Sequence, residues 1–155
     1  MDKIKPTILS DKTTYMYDYE LVKIRVKAFF EKYKECITKK RLIAFSINDP
    51  LGNDNMGIFS STITNAVHNK VEQMEKISRY IDNMNSRIDF LKKEFTEDEK
   101  IIFQMSILDD ILDEDIADAV CMTRRGLYSR KKSCYIKTAI FFNLDVLRKG
   151  VKFDI

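Results

Sequence analysis

The sequence predicts an all-α fold in which long helices lead into a C-terminal helix-turn-helix. Three observations predict it. Apolar residues recur at three- and four-residue intervals over two extended stretches. Glycine and proline, which interrupt helices, number four and two in 155 residues. Near the C-terminus, two short helical segments with capping residues are separated by a three-residue turn. A hydrophobic content of 45% suits a folded chain of this length, with room for one core or a small domain carrying a helical arm.

Residues 1–45 read as an arm, marked by Pro6, and an amphipathic helix from Tyr15 to about Lys40. Leu21, Val22, Val26, Phe29, Phe30, Tyr33 and Ile37 form its apolar stripe. Lys23, Lys27, Lys34, Lys39 and Lys40 lie off that stripe; they can touch a phosphate backbone, but the pattern favours a solvated face over a site. Residues 46–60 concentrate Pro50, Gly52 and Gly57 among Asn, Asp and Ser, a composition that favours turns and marks a linker.

Residues 61–94 read as one long helix, beginning near Ser60 to Thr64 and free of glycine and proline. Val67, Met74, Ile81 and Ile88 repeat every seven residues, with Ile77, Met84 and Leu91 three places after the last three. Such a heptad seam suits helix-on-helix packing. Residues 67–91 can pair two copies in a homodimer or pack against the N-terminal helix, and the spacing fits both. Lys70 at the first d position and methionine at two core positions weaken the seam as a zipper.

Residues 95–155 read as a helix-turn-helix domain. Thr96 and Glu99 have capping-box spacing, so a helix runs from about Glu97 to Leu108. Asp113 is placed to cap a short helix over Glu114 to Val120. Cys121 and Met122 then turn the chain, and Thr123 caps a helix that starts at Arg124. Ile116, Ala117, Val120, Met122 and Leu127 supply a small core between the two helices, with Leu127 facing inward.

The net charge of +3 conceals a strong asymmetry. From Glu94 to Asp118 ten acidic residues face Lys100 alone, whereas nine Lys or Arg lie between Thr123 and Lys152 with Asp145 as the sole acid. The second helix begins with Arg124, Arg125, Tyr128, Ser129 and Lys132 on its outer face, the end that enters a major groove in helix-turn-helix proteins. Arginine can pair bidentately with a guanine edge, and Tyr128 or Ser129 can add base or phosphate contacts. Thr123, Lys131 and Lys137 are expected to meet phosphates and position the protein on double-stranded DNA.

The stretch "DIADAVCMTRRGLYSRKKSCY" resembles the helix-turn-helix in the fourth region of bacterial sigma factors, with an acidic residue and "IA" before a Ser or Thr cap and a basic recognition helix. Residues 61–147 more closely resemble the ArpU and RinA group of phage-associated late transcription regulators. Tyr128, Arg130, Lys131 and Lys132 match that group's "Y-x-R-K-K" run, and "TAIFFNL" resembles its closing apolar stretch. The resemblance implies a cytoplasmic, nucleoid-associated regulator in a bacterial host, an activator of phage or prophage late genes that recruits host RNA polymerase. Two positions depart from the sigma pattern. Arg130 stands where an aliphatic residue is usually buried, so its guanidinium must reach outward along its stem. Cys121 stands where glycine often permits a left-handed turn, at a cost of about 1 kcal/mol.

The two rival readings are a small terminase subunit, which also joins a helix-turn-helix to helical oligomerisation, and a protein-interaction module whose basic helix binds an acidic partner. An enzyme is not expected. His68, the only histidine, has no evident catalytic setting, no Ser or Cys has a base partner in sequence, and no glycine-rich phosphate loop is present. Cys36, Cys121 and Cys134 show no paired spacing, and "DDILDED" lacks calcium-loop spacing, so neither a metal nor a cofactor is implied. The acidic run reads as a solvated face. No apolar stretch approaches the roughly 20 residues of a membrane span.

Overall fold

The computed structural model describes residues 4–48 and 60–153, with side chains in the second stretch from Asn65 onward. The architecture is all-α. Among the described residues six α-helices succeed one another: α1 (Asp11–Tyr15), α2 (Tyr19–Ile47), α3 (Ser60–Lys92), α4 (Glu97–Ile102), α5 (Asp113–Ala119) and α6 (Arg124–Phe141). A π-helical segment, Phe103–Leu108, continues α4. Among the described residues the nearest approach to a strand is one antiparallel bridge between Tyr17 and Leu147.

Caps explain most boundaries. Within the stretch read as an arm, the Ser10 side chain accepts the Thr13 amide and starts α1. The second helix starts at Tyr19 rather than Tyr15 because Asp18 intervenes: its carboxylate accepts the Leu21 amide at 3.2 Å and its carbonyl the Val22 amide at 2.9 Å. It runs to Ile47 rather than Lys40, since nothing before Pro50 breaks it. The linker therefore begins later than the composition suggests, and its residues 49–59 lie outside those described. The capping box at α4 forms as expected, with Thr96 and Glu99 exchanging side-chain to backbone hydrogen bonds at 3.1 and 3.3 Å. The expectation that Asp113 caps the next helix is corrected. The cap position falls on Leu112, whose side chain bonds to nothing there, while Asp113 turns its carboxylate to Lys131.

The chain forms two compact units, one from the residues up to Glu31 together with those from Ile88 on, the other from Lys32 to Arg87. This division cuts across the linear one at residues 60 and 94, because α2 and α3 each contribute to both units.

In the first unit, Val22, Val26, Phe30, Ile102, Phe103 and Ile107 lose all contact with solvent. Burying each such side chain contributes about 1.5–3 kcal/mol. Phe103 is the hub, with its ring centroid 5.6 Å from those of both Phe30 and Phe95. Tyr135 of α6, also fully buried, shares a 2.8 Å hydrogen bond with Ser106 of the π-helical segment. The two ends of the chain close this unit: the Asp18 amide donates to the Val146 carbonyl at 2.8 Å and the Arg148 amide to the Met16 carbonyl at 2.9 Å.

In the second unit, the later part of α2 and the earlier part of α3 form an antiparallel hairpin. Tyr33 donates to Asn85, Lys32 sits over the Tyr80 ring at 4.8 Å, and Lys70 donates to Ser46, so partners run in opposite order along the two helices. Ile77, Ile81 and Met84 are buried with Tyr33 and Ile43. The heptad seam is thus answered within the chain over these turns. Ile88 and Leu91 are likewise buried, in the first unit. Of the two partners that the spacing of residues 67–91 fits, the chain's own helix covers Ile77, Ile81 and Met84, while Val67 and Val71 stay about two-fifths exposed.

Candidate nucleic-acid interface

The unit formed by α5 and α6 is built around a tight turn. The Met122 amide donates to the Ala117 carbonyl at 2.9 Å, closing α5. Cys121 takes φ +54°, the left-handed conformation anticipated at this position. Thr123 then returns to extended backbone and accepts the Gly126 amide on its hydroxyl at 3.1 Å, capping α6. Ile116, Ala117, Val120 and Leu127 are buried between the helices, and Met122 is half-buried. Leu127 faces inward, as its spacing requires.

What remains outside is the front of α6. Arg125 and Ser129 are exposed, and Arg124 keeps 81% of its side-chain surface in solvent, 4.0 Å from a similarly exposed partner, Glu114. Tyr128 is half-exposed and held from behind, with its ring edge-on to Tyr19 at 5.8 Å. Lys132 sits over the Tyr128 ring at 4.4 Å. Cations over aromatic faces at exposed sites gain about 0.5–1 kcal/mol, enough to orient the pair without removing either from the surface.

Two expected phosphate contacts are corrected. Lys131 is 7% exposed and its ammonium lies 2.8 Å from the Asp113 carboxylate. Lys137 is committed more fully: its ammonium donates to the Glu99 carboxylate at 2.7 Å, the Thr7 carbonyl at 2.7 Å and the Glu94 carbonyl at 2.8 Å. An ammonium has three donors, and all three are used inside the protein. Arg130, anticipated to reach outward, is half-buried and pairs with Asp98 at 3.2 Å. The sequence held a signal for Lys131. Positions 127, 131, 134 and 138 follow helical spacing from Leu127, so Lys131 shares the inward stripe with Cys134 and Thr138, all three buried.

Glu99 organises this rear face. It is completely buried, caps α4, holds Lys137 and accepts the Ser133 hydroxyl at 2.9 Å. The Leu9 amide donates to the same Ser133 oxygen at 2.8 Å, which ties the N-terminal residues to α6. Burial pushes the adjacent Cys134 thiol well above its ordinary range, reinforced by the Glu99 charge, so it stays protonated and unreactive. Burial likewise raises the Tyr19 and Tyr135 phenols, and the Tyr135 ring, edge-on at 6.0 Å, adds to the shift at Tyr19.

A second wall faces the front of α6. An open cleft of about 720 Å³ is lined on one side by Arg124, Leu127 and Tyr128, and on another by Lys23 and Lys27 of α2. In sequence these two lysines fit a solvated face better than a phosphate contact. No local pattern identifies their neighbour, because it lies about a hundred residues away in the chain.

Among the described residues no group of three or more His, Cys, Asp or Glu side chains is placed to hold a metal ion. No described helix is long and apolar enough to cross a membrane. Comparison of the chain with models of known protein families, with curated proteins and with solved structures returned no match. The likeness to the late regulators rests on the residues quoted for it.

Proposed function

We propose that the protein is a sequence-specific DNA-binding transcriptional regulator that reads double-stranded DNA with the front of α6. One observation carries the reading: a capped helix presents Arg124, Arg125 and Ser129 to solvent while Leu127 anchors its back, so side chains suited to base edges lie on an accessible front. Specificity resides in Arg124, Arg125, Tyr128, Ser129 and Lys132. Thr123 and the first amides of α6 meet a phosphate. The resemblance to ArpU and RinA regulators supports a role in activating phage or prophage late genes by recruiting host RNA polymerase.

The test is selection of bound duplexes from a randomised pool, followed by mapping of bound sites in a host genome, with the intact protein and with Arg124→Ala plus Arg125→Ala. The expected result is one enriched motif, peaks upstream of a gene cluster, and loss of both in the double variant. Absence of any enriched motif, together with absence of salt-sensitive binding to duplex DNA, would refute the proposal.

A further inference from the structure

We infer that Lys23 and Lys27 of α2 are phosphate-contacting residues that flank the recognition helix and extend the DNA footprint beyond α5 and α6. The inference rests on the proposed DNA-reading role of α6 and adds a segment remote in sequence to it.

Position is the first argument. Tyr19 packs edge-on against Tyr128 at 5.8 Å and against Tyr135 at 6.0 Å, which fixes the start of α2 beside the front half of α6. Lys23 and Lys27 are four residues apart, hence on one face of α2, and both line the cleft whose other wall carries Arg124 and Tyr128. A recognition helix in a major groove has a phosphate strand on either side, and positioning contacts come from whatever cations border it.

Availability is the second. Lys23 lies 3.4 Å from Glu20 and Lys27 3.9 Å from Asp110, and both carboxylates are more than half exposed. Both lysines are half-buried, Lys23 also lying 5.5 Å over the Tyr19 ring, and pairs this open to solvent contribute about 0–1 kcal/mol and exchange readily for another anion. Lys131 and Lys137 are held more closely, their own side chains 9% and 12% exposed and their ammoniums 2.8 and 2.7 Å from Asp113 and Glu99. The two other carboxylates of the cleft, Asp113 and Glu114, already lie against Lys131 and Arg124. The cations of this region therefore divide by their partners. Two lysines of the basic helix are withdrawn from DNA, and two from α2 take their place.

The experiment measures affinity for the duplex selected above as a function of salt, for the wild type, Lys23→Gln plus Lys27→Gln, and Lys23→Arg plus Lys27→Arg. Each phosphate contact contributes about 0.9 to the slope of log affinity against log salt, so the glutamine variant should lose about 2 from the slope. Its affinity should fall equally for the selected duplex and for single-base variants of it, and the arginine variant should keep the wild-type slope. An unchanged slope in the glutamine variant, while Arg124→Ala plus Arg125→Ala abolishes binding, would overturn the inference and leave the DNA-reading role intact. A changed base preference would overturn it too, by making the lysines readers rather than backbone contacts. If the wild type itself binds no duplex, the proposed function fails, and this inference with it. Circular dichroism with unchanged unfolding midpoints separates lost contacts from lost fold.

Discussion

The front and the rear of α6 carry the same kind of side chain and use it in opposite ways. Arg124 and Arg125 stand in solvent, with one partner at 4.0 Å between them, whereas Lys131 and Lys137 are folded into hydrogen bonds of 2.7–2.8 Å with carboxylates and carbonyls. Chemistry does not separate the two groups, but register against the buried stripe does. Position 131 shares the face of Leu127, position 137 reaches the buried Glu99, and positions 124 and 125 lie at the first turn, ahead of any neighbour. A cationic run in a helix is thus two objects: a tether that holds the helix in its fold and a surface for something else.

Substitutions should expose that division as a descending series of effects. Lys137→Ala leaves Glu99 charged, buried and without its cation, and such a break costs about 3–5 kcal/mol in denaturant unfolding. A loss below 1 kcal/mol would return Lys137 to the surface group. Alkaline pH attacks the same rear face. Tyr19 and Tyr135 hold their protons to higher pH in the folded state than in the unfolded one, so stability is level below the ordinary tyrosine pKa of about 10 and declines as pH rises beyond it. A titration of unfolding midpoints should show this decline, and Tyr19→Phe should flatten it.

Smaller effects follow. Tyr135→Phe strands the buried Ser106 hydroxyl and should cost about 1–3 kcal/mol by the same measurement. Thr123→Ala removes the α6 cap and should cost about 1 kcal/mol. At the bottom of the series, Arg124→Ala plus Arg125→Ala should change stability by about 0.5 kcal/mol or less while removing DNA binding. A large stability loss there would mean that the front, too, is a tether.

How far these features were legible depended on the range of the interaction that produces them. The boundary between α5 and α6 was readable because Thr123, Leu127 and the Cys121 turn act over a few residues, and the capping box at Thr96 and Glu99 for the same reason. The start of α2 was misplaced by four residues, although Asp18 carried the signal. The destination of Lys137 was not readable, since its acceptors are Thr7, Glu94 and Glu99, two of them on separate segments brought together by packing of the whole unit. The heptad stripe was visible as a stripe, but spacing alone does not say whether its partner is another chain or this one. Burial of Ile77, Ile81 and Met84 with Tyr33 and Ile43 supplies that answer.

The union of the residues up to Glu31 with those from Ile88 on has a consequence for how the protein can be made. Val22, Val26 and Phe30 are as deeply enclosed as Ile102 or Tyr135, so the part of the chain that carries α4 to α6 has no complete interior until α2 has joined it. On a ribosome, α2 emerges well before Ile102 and Tyr135 and waits for these companions to arrive. A C-terminal fragment beginning at residue 95 would look like a module on paper and lack a wall in solution, so shortening this protein from its beginning disarms its other end.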